Sequence, residues 1–216
     1  MKKILSFTLL FLACFMFSIA EANLLSNGSF ESSSINPGSF TTLSPFSNAI
    51  TDWTVWSGSI DYIGSYWAAA DGGRSIDLNG NEAGSILTYF TTIPGEQYQV
   101  DFYMGGNTAG SPGVKSLDLR AYYNGLNFFI DNQIFTFDTT GKSLTSMGWQ
   151  LQSFIFTAPS NNATILFGSI IAGAYGPAID NVTVSRVSSV PEPATMLLLG
   201  LGLVGLAGIS RKKFKR

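Results

Sequence analysis

Short runs of alternating apolar and polar residues recur through the middle of the chain, separated by Gly, Asn, Pro and Ser. This alternation is typical of strands that bury one face, and helical periodicity is nearly absent there. In residues 116–123, Asp118, Arg120 and Tyr122 take the outward parity. We predict about nine strands, at residues 53–56, 59–63, 85–90, 97–104, 116–123, 133–137, 149–156, 164–169 and 179–187.

Strands at this spacing predict an all-β fold, a single two-sheet sandwich of the jelly-roll type, which handles its edges better than an open sheet does. One run changes parity: Trp149 and Leu151 take one phase, and Phe154 and Phe156 take the other. If all four side chains lie in the core, the strand needs an extra residue. We therefore predict a β-bulge near Gln152-Ser153.

The N-terminal end does not follow the strand pattern. Met1-Lys2-Lys3 is followed by an apolar run and by Ala20-Glu21-Ala22, which is the layout of a cleaved signal peptide over residues 1–22. Cys14 lies deep inside the apolar run, whereas a lipidated cysteine should precede a polar linker, so a lipoprotein is disfavoured. The mature domain, residues 23–189, then contains no cysteine.

The C-terminal end, residues 190–216, has three parts in a fixed order. Pro191-Glu192-Pro193 cannot lie inside a helix, an almost uncharged apolar run follows it, and the chain ends on a basic tail from Arg211 to Arg216. The apolar run of about 17 residues is roughly 25 Å long as a helix, which barely spans a bilayer. We predict a short transmembrane helix with its basic tail on the cytoplasmic side.

This tail closely resembles the C-terminal signal of bacterial PEP-CTERM proteins. The resemblance implies export, anchoring through the C-terminal helix, and processing by an exosortase-type membrane enzyme near Pro191-Glu192-Pro193. It also implies a final location at the cell surface or in the extracellular matrix of a Gram-negative-type bacterium. The alternative is a plain tail anchor that is never cleaved, which is disfavoured because such an anchor does not need a Pro-Glu-Pro motif.

Removing both ends changes the charge of the protein. The whole chain has a net charge of −2, but residues 23–189 carry twelve acidic side chains and five basic ones, for a net charge of −7. The basic residues are Arg74, Lys115, Arg120, Lys142 and Arg186. They form no clustered basic face, so the sequence argues against nucleic-acid binding. Without disulfides, stability must come from the core, with or without a metal ion.

Residues 23–31 and 176–184 look like the first and last strands of galactose-binding-like jelly rolls, many of which are carbohydrate-binding modules. Between them, Trp53-Thr54-Val55, Asp77-Leu78-Asn79-Gly80 and Met147-Gly148-Trp149 are similar to the domain-of-unknown-function 642 family of plant cell-wall and bacterial surface proteins. A choice-of-anchor group pairs that domain with exchangeable sorting tails. The resemblance covers essentially the whole domain and implies binding of cell-wall or matrix polysaccharide.

In related carbohydrate-binding jelly rolls, a first-strand Glu and an Asp before the final strand help to hold a structural calcium; here these are Glu31 and Asp180. Calcium takes six to eight oxygen ligands, and this pair would tie together the ends of a cysteine-free domain. The alternative to a calcium site is that Asp180 only caps a turn and Glu31 is solvated, and the sequence favours neither. Residues 77–82 do not match an EF-hand loop, because Thr88 occupies the twelfth position, and a turn is favoured there.

Aromatic side chains are concentrated in residues 53–67. Sugar rings stack their C–H faces on such side chains, while neighbouring Asp and Arg groups bond the hydroxyls. Tyr66 and Trp67 lie in a Gly/Ser-flanked segment and are expected to be exposed, whereas Trp53 follows a strand pattern and is expected in the core. The candidate ligand contacts are Trp67, Tyr66, Tyr62, Trp56, Asp61 and Arg74. The alternative for each large aromatic side chain is a place in the core.

Residue types that support catalysis are scarce. The chain has no histidine and the mature domain has no cysteine, which excludes Ser-His-Asp, Cys-His and His-based zinc sites. A carboxylate glycosidase remains, but among twelve acidic residues some suitable pair is inevitable. We therefore favour a non-enzymatic polysaccharide-binding module over a structural protein acting through self or partner contacts, and over a glycosidase.

Overall fold

The computed structural model describes residues 22–111, 113–187 and 202. These residues form eleven strands. In chain order they are β1 (Phe40–Leu43), β2 (Thr54–Ser57), β3 (Ile60–Ile63), β4 (Ser75–Asp77), β5 (Ser85–Thr91), β6 (Gln97–Gly106), β7 (Val114–Tyr123), β8 (Phe128–Asp138), β9 (Gln150–Thr157), β10 (Asn162–Ser169) and β11 (Pro177–Arg186). The predicted signal peptide, apart from its last residue Ala22, and the Pro191-Glu192-Pro193 motif lie outside the described residues. In the described part of the chain, no helix is long and apolar enough to cross a membrane.

The strands form two antiparallel sheets. The six-stranded sheet has the order β1-β3-β4-β11-β6-β9, and the five-stranded sheet has the order β2-β5-β10-β7-β8. Successive strands such as β2 and β3 lie in different sheets, so the chain crosses between layers instead of forming one meander. The predicted all-β, two-sheet sandwich is confirmed.

The core lies between the inner faces of the two sheets. Phe102 of β6 contacts Phe135 of β8 and Phe167 of β10 edge-on, with ring centroids 5.1 and 5.0 Å apart. Trp53 joins the same cluster and donates its Nε1–H to the Asn27 carbonyl oxygen at 2.9 Å, so its expected place in the core is confirmed. Each fully buried aromatic side chain contributes about 1.5–3 kcal/mol of hydrophobic stabilisation.

The two ends of the domain are fastened to each other. The Leu24 amide donates to the Val184 carbonyl at 2.8 Å, and the Val184 amide donates to Asn23 Oδ1 at 2.9 Å. Residues 23–31 follow β11 in this way without forming a regular strand, which differs from the strand predicted there. Within the described residues, hydrogen bonds therefore join the first and last segments of the sandwich.

Two further predictions differ from the structure. The prediction of a β-bulge near Gln152-Ser153 is wrong, because the whole of β9 pairs with β6 without a register shift. Trp149 and Leu151 lie on the outer side of the six-stranded sheet, so the parity change separates two faces of one regular strand. The strands β1 and β4 were missed because β4 has only three residues, and in β1 the apolar Phe40 and Leu43 fall on opposite parities.

Candidate functional site

The outer face of the six-stranded sheet is covered by loops, and we call it the covered face. Trp67, Met147 and Ala178 form a second small core there with Ile63 of β3. Trp67 donates its Nε1–H to Ser75 Oγ at 2.8 Å and is only 5% exposed. The expectation that Trp67 is exposed is therefore wrong: its Gly/Ser-flanked loop folds back onto the sheet.

Tyr62 is also a structural residue. It points into the main core, is fully buried, and donates its hydroxyl to the Phe30 carbonyl at 2.7 Å. Tyr66 is half-buried and packs between Phe40 and Trp67, with centroids 5.2 and 5.6 Å away. A sugar ring would have no free face on Tyr62, so its predicted ligand contact is corrected to core packing.

The two polar candidates lie on β3 and just before β4 of the same sheet. Asp61 accepts a hydrogen bond from Thr42 Oγ1 at 2.5 Å, and burial raises its pKa. The Arg74 guanidinium donates to the Gly73 carbonyl at 3.3 Å and to Asn36 Oδ1 at 3.5 Å. Asp61 lies on β3, and Tyr66 and Arg74 lie in the connection from β3 to β4. The structure thus separates them from Trp56, which belongs to β2 in the other sheet.

Glu31 and Asp180 hold one loop from two sides. Glu31 Oε1 accepts hydrogen bonds from the amides of Gly73 and Arg74 at 2.7 and 2.8 Å. Asp180 Oδ2 accepts from the amides of Ala70 and Asp71 at 2.7 and 2.9 Å. Burial raises the Asp180 pKa to about 7, and the backbone donors offset part of that rise. The two predicted calcium ligands therefore meet at residues 70–74.

The donor chemistry of this loop fits calcium in type. Glu31 and Asp180 carry hard oxygen atoms of the kind that calcium prefers. Asp180 is fully buried, and its hydrogen-bond partners are backbone amides. The described residues contain no group of three acidic, His or Cys side chains that could hold a metal. Calcium at this place would need backbone carbonyls or water to complete its six to eight ligands.

The outer face of the five-stranded sheet is open and carries a groove. Across β5, β10 and β7, the pairing sets side by side Tyr89–Thr164–Tyr122, Leu87–Leu166–Arg120 and Ser85–Gly168–Asp118. Gly168 has no side chain, and a cavity of about 240 Å³ lies over this position, lined by Trp56 on one side and Arg120 on the other. A wider depression of about 520 Å³ continues past Trp56 and Tyr89. We call this surface, centred on Trp56, Tyr89, Arg120 and Tyr122, the open face.

Aromatic rings on the open face present free surface. Trp56 is 44% exposed and is braced edge-on by Phe46, with ring centroids 6.0 Å apart. Tyr89 is 77% exposed, and Tyr122 packs edge-on against Phe129 at 5.7 Å. Rings braced by a neighbouring ring, as Trp56 and Tyr122 are, can stack against an apolar ligand face at little entropic cost.

An ion pair supplies fixed polar groups beside these rings. Arg120 Nε donates to Asp118 Oδ2 at 2.6 Å, and Asn132 Nδ2 donates to Asp118 Oδ1 at 2.9 Å. The hydrogen bond to Asp118 raises the Arg120 pKa, so the guanidinium stays charged. Because Asp118 is itself held, Arg120 is oriented in advance with part of its surface in solvent.

Among the predicted ligand contacts, all of which lie in the described part of the chain, Trp56 alone lies on the open face. Sequence reasoning missed Tyr89, Asp118, Arg120 and Tyr122 as site residues. A signal was present, since the alternation in residues 116–123 placed Asp118, Arg120 and Tyr122 outward. The pairing of β10 with both β5 and β7, which brings Tyr89 beside them, is not visible in any local pattern.

The fold and the open face define a β-sandwich domain with an aromatic-lined surface. Residues 23–185 match the family described as Protein of unknown function (DUF642), and the chain belongs to this family. Residues 189–212 match the PEP-CTERM protein-sorting motif. Both predicted resemblances are thereby confirmed.

The chain is also similar to one curated protein and to several solved structures. The chain is 35% identical over 181 residues to Halomucin of Haloquadratum walsbyi; that match covers 79% of this chain but spans only 2% of Halomucin. The arabinose-bound α-L-arabinofuranosidase MgGH51 has a TM-score of 0.51 at 13% identity, covering 77% of this chain and 26% of that one, so the two share the sandwich fold. TmCBM61 in complex with β-1,4-galactotriose has a TM-score of 0.45 at 15% identity, covering 77% and 99%.

Proposed function

We propose that this protein is an exported, exosortase-sorted surface or matrix protein whose sandwich binds polysaccharide on the open face without catalysis. The observation that carries the proposal is the groove over Gly168, flanked by the exposed ring of Trp56 and by the oriented Arg120. Exposed rings beside fixed hydrogen-bonding groups match the two surfaces of a sugar, its C–H face and its hydroxyl edge.

The acid content of the open face supports binding without hydrolysis. Glycosidases place two carboxyl groups about 5–9 Å apart across the scissile bond. Within the described chain, Asp118 is the one acidic residue that lines the groove over Gly168, and no acidic residue lines the wider depression. Both Asp118 oxygens accept hydrogen bonds, one from Arg120 and one from Asn132. A carboxylate held in this way orients its neighbour and is poorly placed to transfer a proton.

Sorting is the second part of the proposal. The PEP-CTERM motif at residues 189–212 supports export and processing by an exosortase-type enzyme. In this account residues 1–22 direct export, the C-terminal helix anchors the chain in the membrane, and processing near Pro191-Glu192-Pro193 places the domain at the cell surface or in the matrix. The net charge of −7 over residues 23–189 suits a solvated external domain.

Structural calcium is the third part. Glu31 and Asp180 would hold the ion with oxygen atoms of residues 70–74, which both carboxylates already contact through backbone amides. The ion would supply positive charge beside the buried Asp180 carboxylate and link the first and last segments of the domain. It would stabilise the covered side of the sandwich and would take no part in ligand contacts on the open face.

The experiment is a binding screen of folded residues 23–189 against cell-wall and matrix polysaccharides, with reducing-sugar release measured in parallel. We expect saturable binding without sugar release, and loss of binding in Trp56→Ala and Tyr89→Ala. Tyr66→Ala is the matched control, since it removes an aromatic ring from the covered face. Failure of the folded domain to bind any polysaccharide, or sugar release abolished by one carboxylate substitution, would contradict the proposal.

A further inference from the structure

The sandwich has four edge strands, and they are not equally protected. An edge exposes unpaired backbone N–H and C=O groups, which accept one kind of partner, an extended strand. Short length, charged side chains and bulges normally block such pairing. The strands β1 and β2 have four residues each, and β8 carries Asp131 and Asp138 and a register shift opposite Ala121 and Tyr122. Each of these three edges therefore has a feature that discourages pairing.

The fourth edge, β9, has none of these features. It runs for eight residues, Gln150–Thr157, contains no charged side chain, and pairs with β6 without a register shift. Within the described residues, no strand pairs with its other side. Leu151 and Ile155 are 60% and 48% exposed on its outer face, two positions either side of Ser153.

We infer that β9 pairs antiparallel with β9 of a second copy of this chain, about a twofold axis at Ser153. An antiparallel pair centred on Ser153 sets Leu151 of each copy opposite Ile155 of the other, because the two residues lie two positions either side of the axis. Both exposed apolar side chains then gain an apolar cross-strand neighbour. The two six-stranded sheets become one continuous sheet, and the open face of each copy stays accessible.

Charge distinguishes β9 from the other long edge strand. Two domains with a net charge of −7 repel each other, and β8 carries Asp131 and Asp138 whereas β9 carries no charged side chain. The nearest acid, Asp101, is opposite Ser153 on β6 and accepts hydrogen bonds from Gln99 Nε2 and Ser153 Oγ. In the pair the two Asp101 side chains would lie three strand spacings apart, about 14 Å, which exceeds the Debye length of about 10 Å at 0.1 M salt.

The test is sedimentation velocity of folded residues 23–189 over a wide concentration range. The wild-type domain should form a dimer reversibly. Leu151→Lys and Ile155→Glu should each weaken dimerisation by about tenfold or more, because each sets two charges against apolar partners. Ile134→Lys is the matched control, since it changes an exposed apolar residue on the other long edge strand, β8, and should leave dimerisation unchanged.

Mixing the two single variants tests the register itself. In a 1:1 mixture, the substituted position 151 of one copy meets the substituted position 155 of the other, so opposite charges face each other and the dimer should return. Circular dichroism of each variant confirms that it is folded. A wild-type domain that stays monomeric, a dimer unaffected by either variant, or a mixture that remains monomeric would each overturn the inference.

Discussion

The two outer faces of the sandwich use similar side chains for opposite purposes. On the six-stranded sheet, Trp67 is packed against the sheet by its own loop and hydrogen-bonded to Ser75, whereas on the five-stranded sheet Trp56 is 44% exposed. Their local sequences suggest the reverse, since Trp67 has loop-like flanks and Trp56 lies in a strand. Exposure is therefore decided by whether a loop returns over the sheet, which is a property of the whole fold.

The carboxylates differ between the two faces in the same way. On the covered face, burial raises the pKa of Asp77 to about 8 and that of Asp180 to about 7. On the open face, Asp118 is paired with Arg120 beside the groove. The covered face thus carries buried carboxyl groups with raised pKa values, and the open face carries a charged pair beside a groove.

The largest expected effect is the difference in stability between the Trp67→Ala and Trp56→Ala variants. Trp67→Ala should lower the free energy of unfolding by about 3–5 kcal/mol, because it leaves a cavity and removes the hydrogen-bond donor to Ser75 Oγ. Trp56→Ala should lower it by less than about 1 kcal/mol, because that ring is partly exposed. Urea unfolding of both variants measures the difference. Equal losses of unfolding free energy would contradict the claim that Trp67 is buried and Trp56 is exposed.

Calcium should stabilise the covered face. If Glu31 and Asp180 hold the ion, calcium at a hundredfold excess over its dissociation constant adds about 2.7 kcal/mol to stability. The melting temperature should rise with calcium and fall with chelator, and Glu31→Gln should abolish that response. Glu82→Gln is the control, because Glu82 lies on another loop. A wild-type melting temperature indifferent to calcium would contradict the proposed site.

Asp77 should make stability depend on pH. Its Oδ1 accepts hydrogen bonds from the Asn79 and Gly176 amides, its Oδ2 accepts one from Asn107 Nδ2, and burial raises its pKa from 3.8 to about 8. The folded chain holds a proton that the unfolded chain releases. The stabilisation is therefore fully present below about pH 4 and is lost as pH rises towards 8.

Asp77→Asn should flatten this decline, by at most about 1.4 kcal/mol per pH unit. Unfolding free energies of wild type and variant from pH 4 to 8 give the comparison, and Asp180 adds a decline of the same sign to both curves. Asp138→Asn is the control, because hydrogen bonds from Thr140 lower the pKa of that exposed carboxyl. Parallel wild-type and Asp77→Asn curves would show that Asp77 does not retain its proton.

The smallest expected effect is at Arg74. Its guanidinium makes long hydrogen bonds to Gly73 and Asn36 on the covered side, away from the open face. Arg74→Ala should change stability by no more than about 0.5 kcal/mol and leave polysaccharide affinity unchanged. Arg120→Ala is the matched comparison and should weaken affinity, since Arg120 lines the groove. A stronger loss of affinity in Arg74→Ala would return the site to the covered face.

Most of the fold could be predicted because long strands record their burial in alternating residues. The strands β6 and β7 were found almost in full, whereas β4, with three residues, left no pattern. The site was less predictable. Outward positions of β7 could be read from parity, but Tyr89 joins them only because β10 pairs with both β5 and β7. Strand order is set by long-range packing, so residues close in sequence, such as Trp56 and Asp61, end in different sheets.

The most direct test of the open face uses the indole N–H signals of the four tryptophans in a ¹⁵N NMR titration with a bound polysaccharide. Trp53, Trp67 and Trp149 donate theirs inside the protein, to Asn27, Ser75 and Ala68. The account predicts that the signal lost in Trp56→Phe is the one that shifts on titration, while the other three stay in place. A shift of the Trp67 or Trp149 signal with Trp56 unmoved would place the ligand on the covered face and contradict it.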